Sequence, residues 1–402
     1  MPGFLRAGHL PTLVAAFLYF DCAFMVWVML GPLAIHFGEA LELTHAQVGL
    51  AVAVPVLSGA ILRLAMGVLV DRLSPKRAAI IGQLFVIATL AAAWLGGIRS
   101  FGALLVVGVC LGAAGASFAA ALPLASRWYP PEHQGTALGI TGAGNSGTVF
   151  AALLAPSLAA AHGWTNVFGL ALLPLGLVFV LFLLLARDVP SAPPPMPVKG
   201  YVAVLREADL WWLMAFYFIS FGGFVGIASS LVLFFNVEYG LPPATAGYFA
   251  AACIFAGSLV RPFGGYMADR VGGARSLLWM FGIAAVALAI VSLRLPEAWM
   301  TTAVLVGAMF ALGMGNGAVF QLVPLRFSRQ LGVATGLIGM AGGVGGFLLA
   351  FLIGLSKELT DSYRAAFLAF VLSIVVALLG IAHIGRRWRT RWRDTWAVTA
   401  RI

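Results

Sequence analysis

Two arginines, Arg63 and Arg261, lie inside strongly apolar stretches of the chain. Arginine stays protonated and presents a planar fork of N–H donors. At the centre of a membrane helix such a charge costs roughly 2.5–3.5 kcal/mol on insertion scales. Two opposed forks suit a small planar anion such as nitrate, nitrite, formate or another carboxylate. The plainer alternatives are a buried acid partner for each arginine, or snorkelling to the surface. Asp21, in Phe20-Asp21-Cys22, is the one acid in the middle of an apolar run. It reads either as a fixed partner of Arg63 or as a proton-carrying group that alternates between paired and protonated states. Asn145 stands in the run Gly142-Ala-Gly144-Asn145-Ser-Gly147. Its amide and the backbone at Gly142 and Gly144 offer hydrogen bonds to an anion passing close by, and a helix–helix bond from Asn145 is the competing reading.

The elements that must position these groups follow from composition. Hydrophobic residues make up 62% of the 402 and charged residues only 9%, against roughly 25% charged in soluble domains. That excludes a soluble enzyme, a nucleic-acid binder and a disordered regulator. The length suits about twelve spans of ~20–25 residues, so the expected class is an all-α membrane protein. The net charge of +10 is not a nucleic-acid footprint. Lys and Arg crowd into alternate loops (Arg72, Lys76 and Arg77, then Arg127, then Arg187) and into the tail from Arg386. By the positive-inside rule both termini are cytoplasmic, in a multi-pass protein of a bacterial-type inner membrane. The stretch from Pro190 to Pro197 reads as a semi-rigid spacer. The expected division is therefore 1–186, a first six-helix bundle; 187–209, a cytoplasmic linker; 210–385, a second bundle; and 386–402, a basic tail.

The halves echo each other. Arg63, Gly67, Asp71 and Arg72 recur with the same spacing as Arg261, Gly265, Asp269 and Arg270. Gly135, Gly139 and Gly142 are echoed by Gly332, Gly336 and Gly339. Same-sense repeats of six helices put a substrate site between the bundles near the midplane. The glycines at i, i+4 and i+7, continued by Gly147, Gly342 and Gly343, share helix faces that let backbones touch in lipid. The loop groups Gly67, Asp71, Arg72 and Arg77, and Gly265, Asp269, Arg270 and Arg275, read as ion-pairing gates at helix ends, or simply as solvated charge clusters. Cys22, Cys110 and Cys253 read as small apolar residues. No His/Cys/carboxylate spacing suggests a metal, a cofactor or a catalytic residue.

The Gly67-x-x-x-Asp71-Arg72 loop ending at Arg77 resembles the signature of the major facilitator superfamily. Gly139-Ile-Thr-Gly142-Ala-Gly144-Asn145-Ser-Gly147, and the glycine run from Gly332 through Gly339 and Gly342-Gly343 to Gly346, resemble the fifth- and eleventh-helix signatures of the nitrate/nitrite porter family. Phe221-Gly-Gly-Phe224-Val-Gly226 is similar to that family's seventh helix. The resemblance implies that Arg63 and Arg261 grip the anion. It also implies an aromatic wall; because Ile227 stands where relatives often carry an aromatic, that wall is expected from Phe20, Phe24 or Phe224.

The resulting expectation is a monomeric, non-enzymatic transporter of nitrate and nitrite, surrounded by membrane lipid and working by alternating access. Proton symport with Asp21 as carrier is the favoured coupling. The alternatives are nitrate/nitrite exchange or another small anion such as formate or oxalate, and, from other classes, a membrane enzyme or a sensor.

Overall fold

A computed structural model describes residues 4–190, 204–327 and 331–391. Pro193 to Pro197 and Lys199 of the expected linker, Arg329, and the tail beyond Arg391 lie outside the described residues.

Among the described residues, twelve helices are long and apolar enough to cross a membrane. In chain order they are Leu10–Trp27, His45–Arg72, Pro75–Gly96, Phe101–Ser126, Thr136–His162 and Trp164–Leu185, then Ala208–Tyr239, Pro243–Val271, Gly273–Val291, Ala298–Phe327, Gly332–Thr360 and Arg364–Trp388. We call them spans one to twelve. They pack as two six-helix bundles, spans one to six and spans seven to twelve. Within the first bundle, span two packs on span four, and span six on spans one and three. Within the second, span ten packs on spans seven, eight and nine. The bundles meet along two seams, span two against span eleven and span five against span eight. An even number of crossings leaves both ends of the chain on one face, called here the terminal face.

Several apolar runs are less continuous than their composition suggests. The first apolar run is not one helix: it ends at Trp27, Val28 to Leu33 turn, and a short helix covers Ala34–Ala40. Gly31-Pro32 explains the stop. Proline withholds a donor, and a methyl at Gly31 would overlap the Ser229 carbonyl on span seven. Span four is interrupted at Ala116-Ser117. Span five passes through a 3-10 turn at Ala143–Ser146, directly after the helix Pro131–Gly142 that contains Gly135.

The two faces of the molecule differ. Opposite the terminal face, the start of span two lies tight against the end of span eleven. A methyl at Gly49 would come within 2.8 Å of the Gly354 Cα, and one at Gly343 would overlap Ala60. The Ala46 N–H also donates to Glu358 at 3.3 Å. On the terminal face, a methyl at Gly67, Gly332 or Gly336 would meet nothing within 4 Å among the described residues. Spans five and eight still touch there, through Gly139 and Pro262.

Candidate functional site

Arg63 and Arg261 both turn inward. They are 2% and 8% exposed, so neither snorkels. The break in span four explains how Arg63 is held. Ala119 N–H bonds the Ala116 carbonyl, leaving Gly115 without its usual helical donor, and the Gly115 oxygen accepts from Arg63 Nε at 3.2 Å. Arg63 Nη1 crosses the seam to donate to the Gly339 carbonyl of span eleven at 2.5 Å. Arg261 Nη2 donates to the Tyr217 hydroxyl of span seven at 3.2 Å. One nitrogen of each fork, Arg63 Nη2 and Arg261 Nη1, is buried with no partner. Asp21 does not neutralise Arg63 as one reading expected: its carboxylate accepts from Ser146 Oγ at 2.5 Å.

Aromatic faces take the place of carboxylates. The Arg63 guanidinium lies 5.2 Å from the rings of Phe118 and Phe221 and 5.4 Å from Trp27. That of Arg261 lies 5.7 Å from the same Phe118 and 5.3 Å from Phe320. Desolvated contacts of this kind are worth about 2 kcal/mol each, enough to hold a guanidinium but not to cancel its charge. Tyr217 stacks on Phe221 at 5.1 Å and meets Phe320 edge-on at 4.9 Å. Two like charges therefore face a shared ring, each with a donor to spare.

The rings beside the two guanidinia are thus Trp27, Phe118, Phe221 and Phe320. Phe20, Phe24 and Phe224 sit one ring further back, packed on Phe118, Trp27 and Phe221 at 5.7, 4.7 and 6.5 Å. Tyr217, Phe221 and Phe224 are spaced i, i+4, i+7 on span seven, a single helix face. That period was the available signal for Tyr217 and Phe221. Nothing in the sequence marks Phe118 or Phe320 among 29 phenylalanines.

The glycines of span five divide by face. Gly142 borders the site, where a methyl would stand 3.9 Å from Arg261 Nε. Gly144 and Gly147 instead face span one: methyls there would meet Phe20 and overlap the Asp21 carbonyl. Asn145 is buried, and its Oδ1 has no partner. Its carbonyl accepts from Thr148 Oγ1 at 2.6 Å and from Ser258 Oγ of span eight at 3.4 Å. In span eleven, Gly339 touches Arg63, while Gly342 packs on Tyr217 and Phe221. The loop groups lie apart from this site. Asp71, with Asp188, faces Arg127 electrostatically, and Arg270 stacks on Tyr266 at 4.3 Å. Arg72, Arg77 and Asp269 lie in or beside the same helix ends, with Arg275 at the start of span nine.

The family model described as Major Facilitator Superfamily matches residues 13–350. The nitrite extrusion protein of Bacillus subtilis (strain 168) is 33% identical over 371 residues, 92% of this chain and 92% of that protein. A probable nitrate/nitrite transporter of Mycobacterium tuberculosis (strain H37Rv) is 30% identical over 92% of this chain and 95% of its own. A probable nitrate/nitrite antiporter of Thermus thermophilus is 30% identical over 93% and 90%. Among solved structures, a bacterial homolog of the human lysosomal transporter Spinster, inward-facing and occupied, superposes with a TM-score of 0.70 at 18% identity, covering 96% of this chain and 98% of that one. At that identity the likeness speaks for the fold.

Proposed function

The chain belongs to the Major Facilitator Superfamily, and on that premise we propose that it carries nitrate, and nitrite, across a bacterial-type cytoplasmic membrane. The observation that carries the reading is the pair of buried guanidinia facing the Phe118 ring, each with one unpartnered nitrogen and no paired acid among the described residues. A flat monoanion between them supplies the missing acceptors and offsets their mutual repulsion, and its face stacks on an aromatic ring. The names of the relatives support nitrate and nitrite over formate or oxalate.

Arg63 and Arg261 grip the anion. Asn145 and the backbone at Gly142 complete the donors, with Tyr217 orienting Arg261. Residues 1–186 and 210–385 rock about this site as two bodies joined by 187–209, with the glycine faces of spans five and eleven as sliding surfaces. The Asp71 and Asp269 loop groups serve as gates. Both termini are cytoplasmic, in keeping with the basic loops on the terminal face, and the tight seam opposite makes this an inward-directed state. The working unit is a monomer. Coupling is by proton symport with Asp21, the one mid-span carboxyl, as carrier; nitrate/nitrite exchange is the alternative, and the name of the Thermus relative favours it.

The test replaces each arginine by lysine, which keeps the charge and loses the fork. Losing one charge-assisted bond costs about 1.5–3 kcal/mol, so the KM for nitrate is expected to rise roughly ten- to a hundredfold in both R63K and R261K. Unchanged affinity in either would remove the two-arginine grip.

A further inference from the structure

Asp21 meets span five at its 3-10 break, where Gly144 and Gly147 let the two backbones touch. There Ser146 Oγ lies between two acceptors: Asp21 Oδ1 at 2.5 Å and the Ala143 carbonyl at 2.9 Å. A hydroxyl carries one proton. While Asp21 is ionised the two acceptors compete for it, and one contact is left without a hydrogen. Protonating Asp21 removes the conflict: its O–H donates to Ser146 Oγ, and Ser146 donates to Ala143. The chain Asp21–Ser146–Ala143 is then continuous and ties the break to span one.

What the break carries is Asn145, next to Ser146, with its buried Oδ1 unpartnered. The Asn145 carbonyl takes Ser258 of span eight, about one turn before Arg261. Asn145 therefore sits between the proton-bearing group and the arginines. Among the described residues, no other ionisable side chain is bonded at this contact. Residues 143–147 carry none, and of the elements packed on span one, the sixth span carries none, the fourth only Cys110, and the fifth, with its leading helix Pro131–Gly142, only Glu132 and His133 at one end and His162 at the other. The second carries His45, Asp71 and Arg72 at its ends and, in its interior, Arg63, which is bonded to Gly115 and Gly339. Cys22 is the titratable neighbour on Asp21's own helix.

We propose that Asp21 is a positioning residue for the anion site: when protonated, it fixes the Ala143–Ser146 break through Ser146 and so holds Asn145 in its anion-binding place. This rests on the nitrate reading above and deepens it, because it makes the proton and the anion favour the same arrangement of one helix break.

The experiment is nitrate/nitrate exchange in proteoliposomes with equal pH on both sides, measured from about pH 5.5 to 8.5. Exchange needs no net proton movement, so KM reports the site and not the driving force. Nitrate does not titrate in this range. The wild-type KM is expected to rise roughly tenfold with pH. D21N, whose amide can donate to Ser146 as the protonated acid does, keeps the low KM at every pH. S146A breaks the chain and shows a high KM at every pH, as does D21A. In an N145A background the D21A change adds nothing further. A wild-type KM flat with pH, an S146A protein that keeps the wild-type profile, or an additive D21A/N145A pair overturns the positioning role. A wild type that exchanges no nitrate overturns the underlying anion reading instead, and this outcome is distinct from the other three.

Discussion

Arg63 and Arg261 bring two positive charges into an apolar interior, where aromatic faces and carbonyls hold them without neutralising them. Tyr217 is the polar side chain bonded to Arg261. Tyr217→Phe keeps the stacking on Phe221 and removes that bond. A lost bond to a charged group costs about 1.5–3 kcal/mol, part of which water entering the site would restore. The expected result is a KM for nitrate raised about tenfold with little change in maximal rate, read in steady-state uptake. An unchanged KM would show that Arg261 is aimed by the Phe118 and Phe320 rings alone. At this scale the sequence was legible where a residue type is costly in a membrane, as at Arg63, Arg261, Asp21 and Asn145. It was not legible where the type is cheap. Phenylalanine faces lipid and lines a site with equal ease, so Phe118 and Phe320 carry no mark in the sequence, although their rings lie nearer the two guanidinia than those of Phe24 and Phe224.

The spans themselves followed from length and hydropathy, because an unpaired backbone cannot cross a bilayer and each apolar run must become a helix. Their interruptions did not. Glycine and proline are tolerated in membrane helices, so neither the turn after Trp27 nor the breaks at Ala116-Ser117 and Ala143–Ser146 could be told from ordinary small-residue packing. Yet these breaks shape the site: one frees the Gly115 carbonyl for Arg63, and the other presents Asn145. The glycines beside them are fitted to a neighbour. A methyl at Gly147 would overlap the Asp21 carbonyl, a backbone atom that cannot swing aside. Gly147→Ala is therefore expected to push spans one and five apart, at about 1–3 kcal/mol, lowering the melting temperature in detergent. Gly336→Ala, which meets open space, should melt with the wild type. Equal melting of the two variants would contradict the packing described here.

Over the whole molecule, the internal repeat brings one arginine from each half to a common point, and the two seams close on the face opposite the termini. The glycines of spans two and eleven that meet nothing on the terminal face are the surfaces that would close when the site opens the other way. An anion bound between the halves is handled by both at once, so its binding and the relative motion of the bundles are one event. The division into halves was readable from the repeated Arg-Gly-Asp-Arg spacing. Which face stands closed was not, because a single sequence encodes every state of the cycle.

The most direct measurement is labelled nitrate uptake into proteoliposomes of the purified protein, once with an inward proton gradient and no internal nitrite, and once with nitrite inside and no gradient. Uptake driven by the gradient alone, and competed by external nitrite, is the predicted result. Uptake that requires internal nitrite would replace symport by exchange and remove Asp21 as the proton carrier. No nitrate uptake under either drive would contradict the central claim that the paired arginines serve this anion.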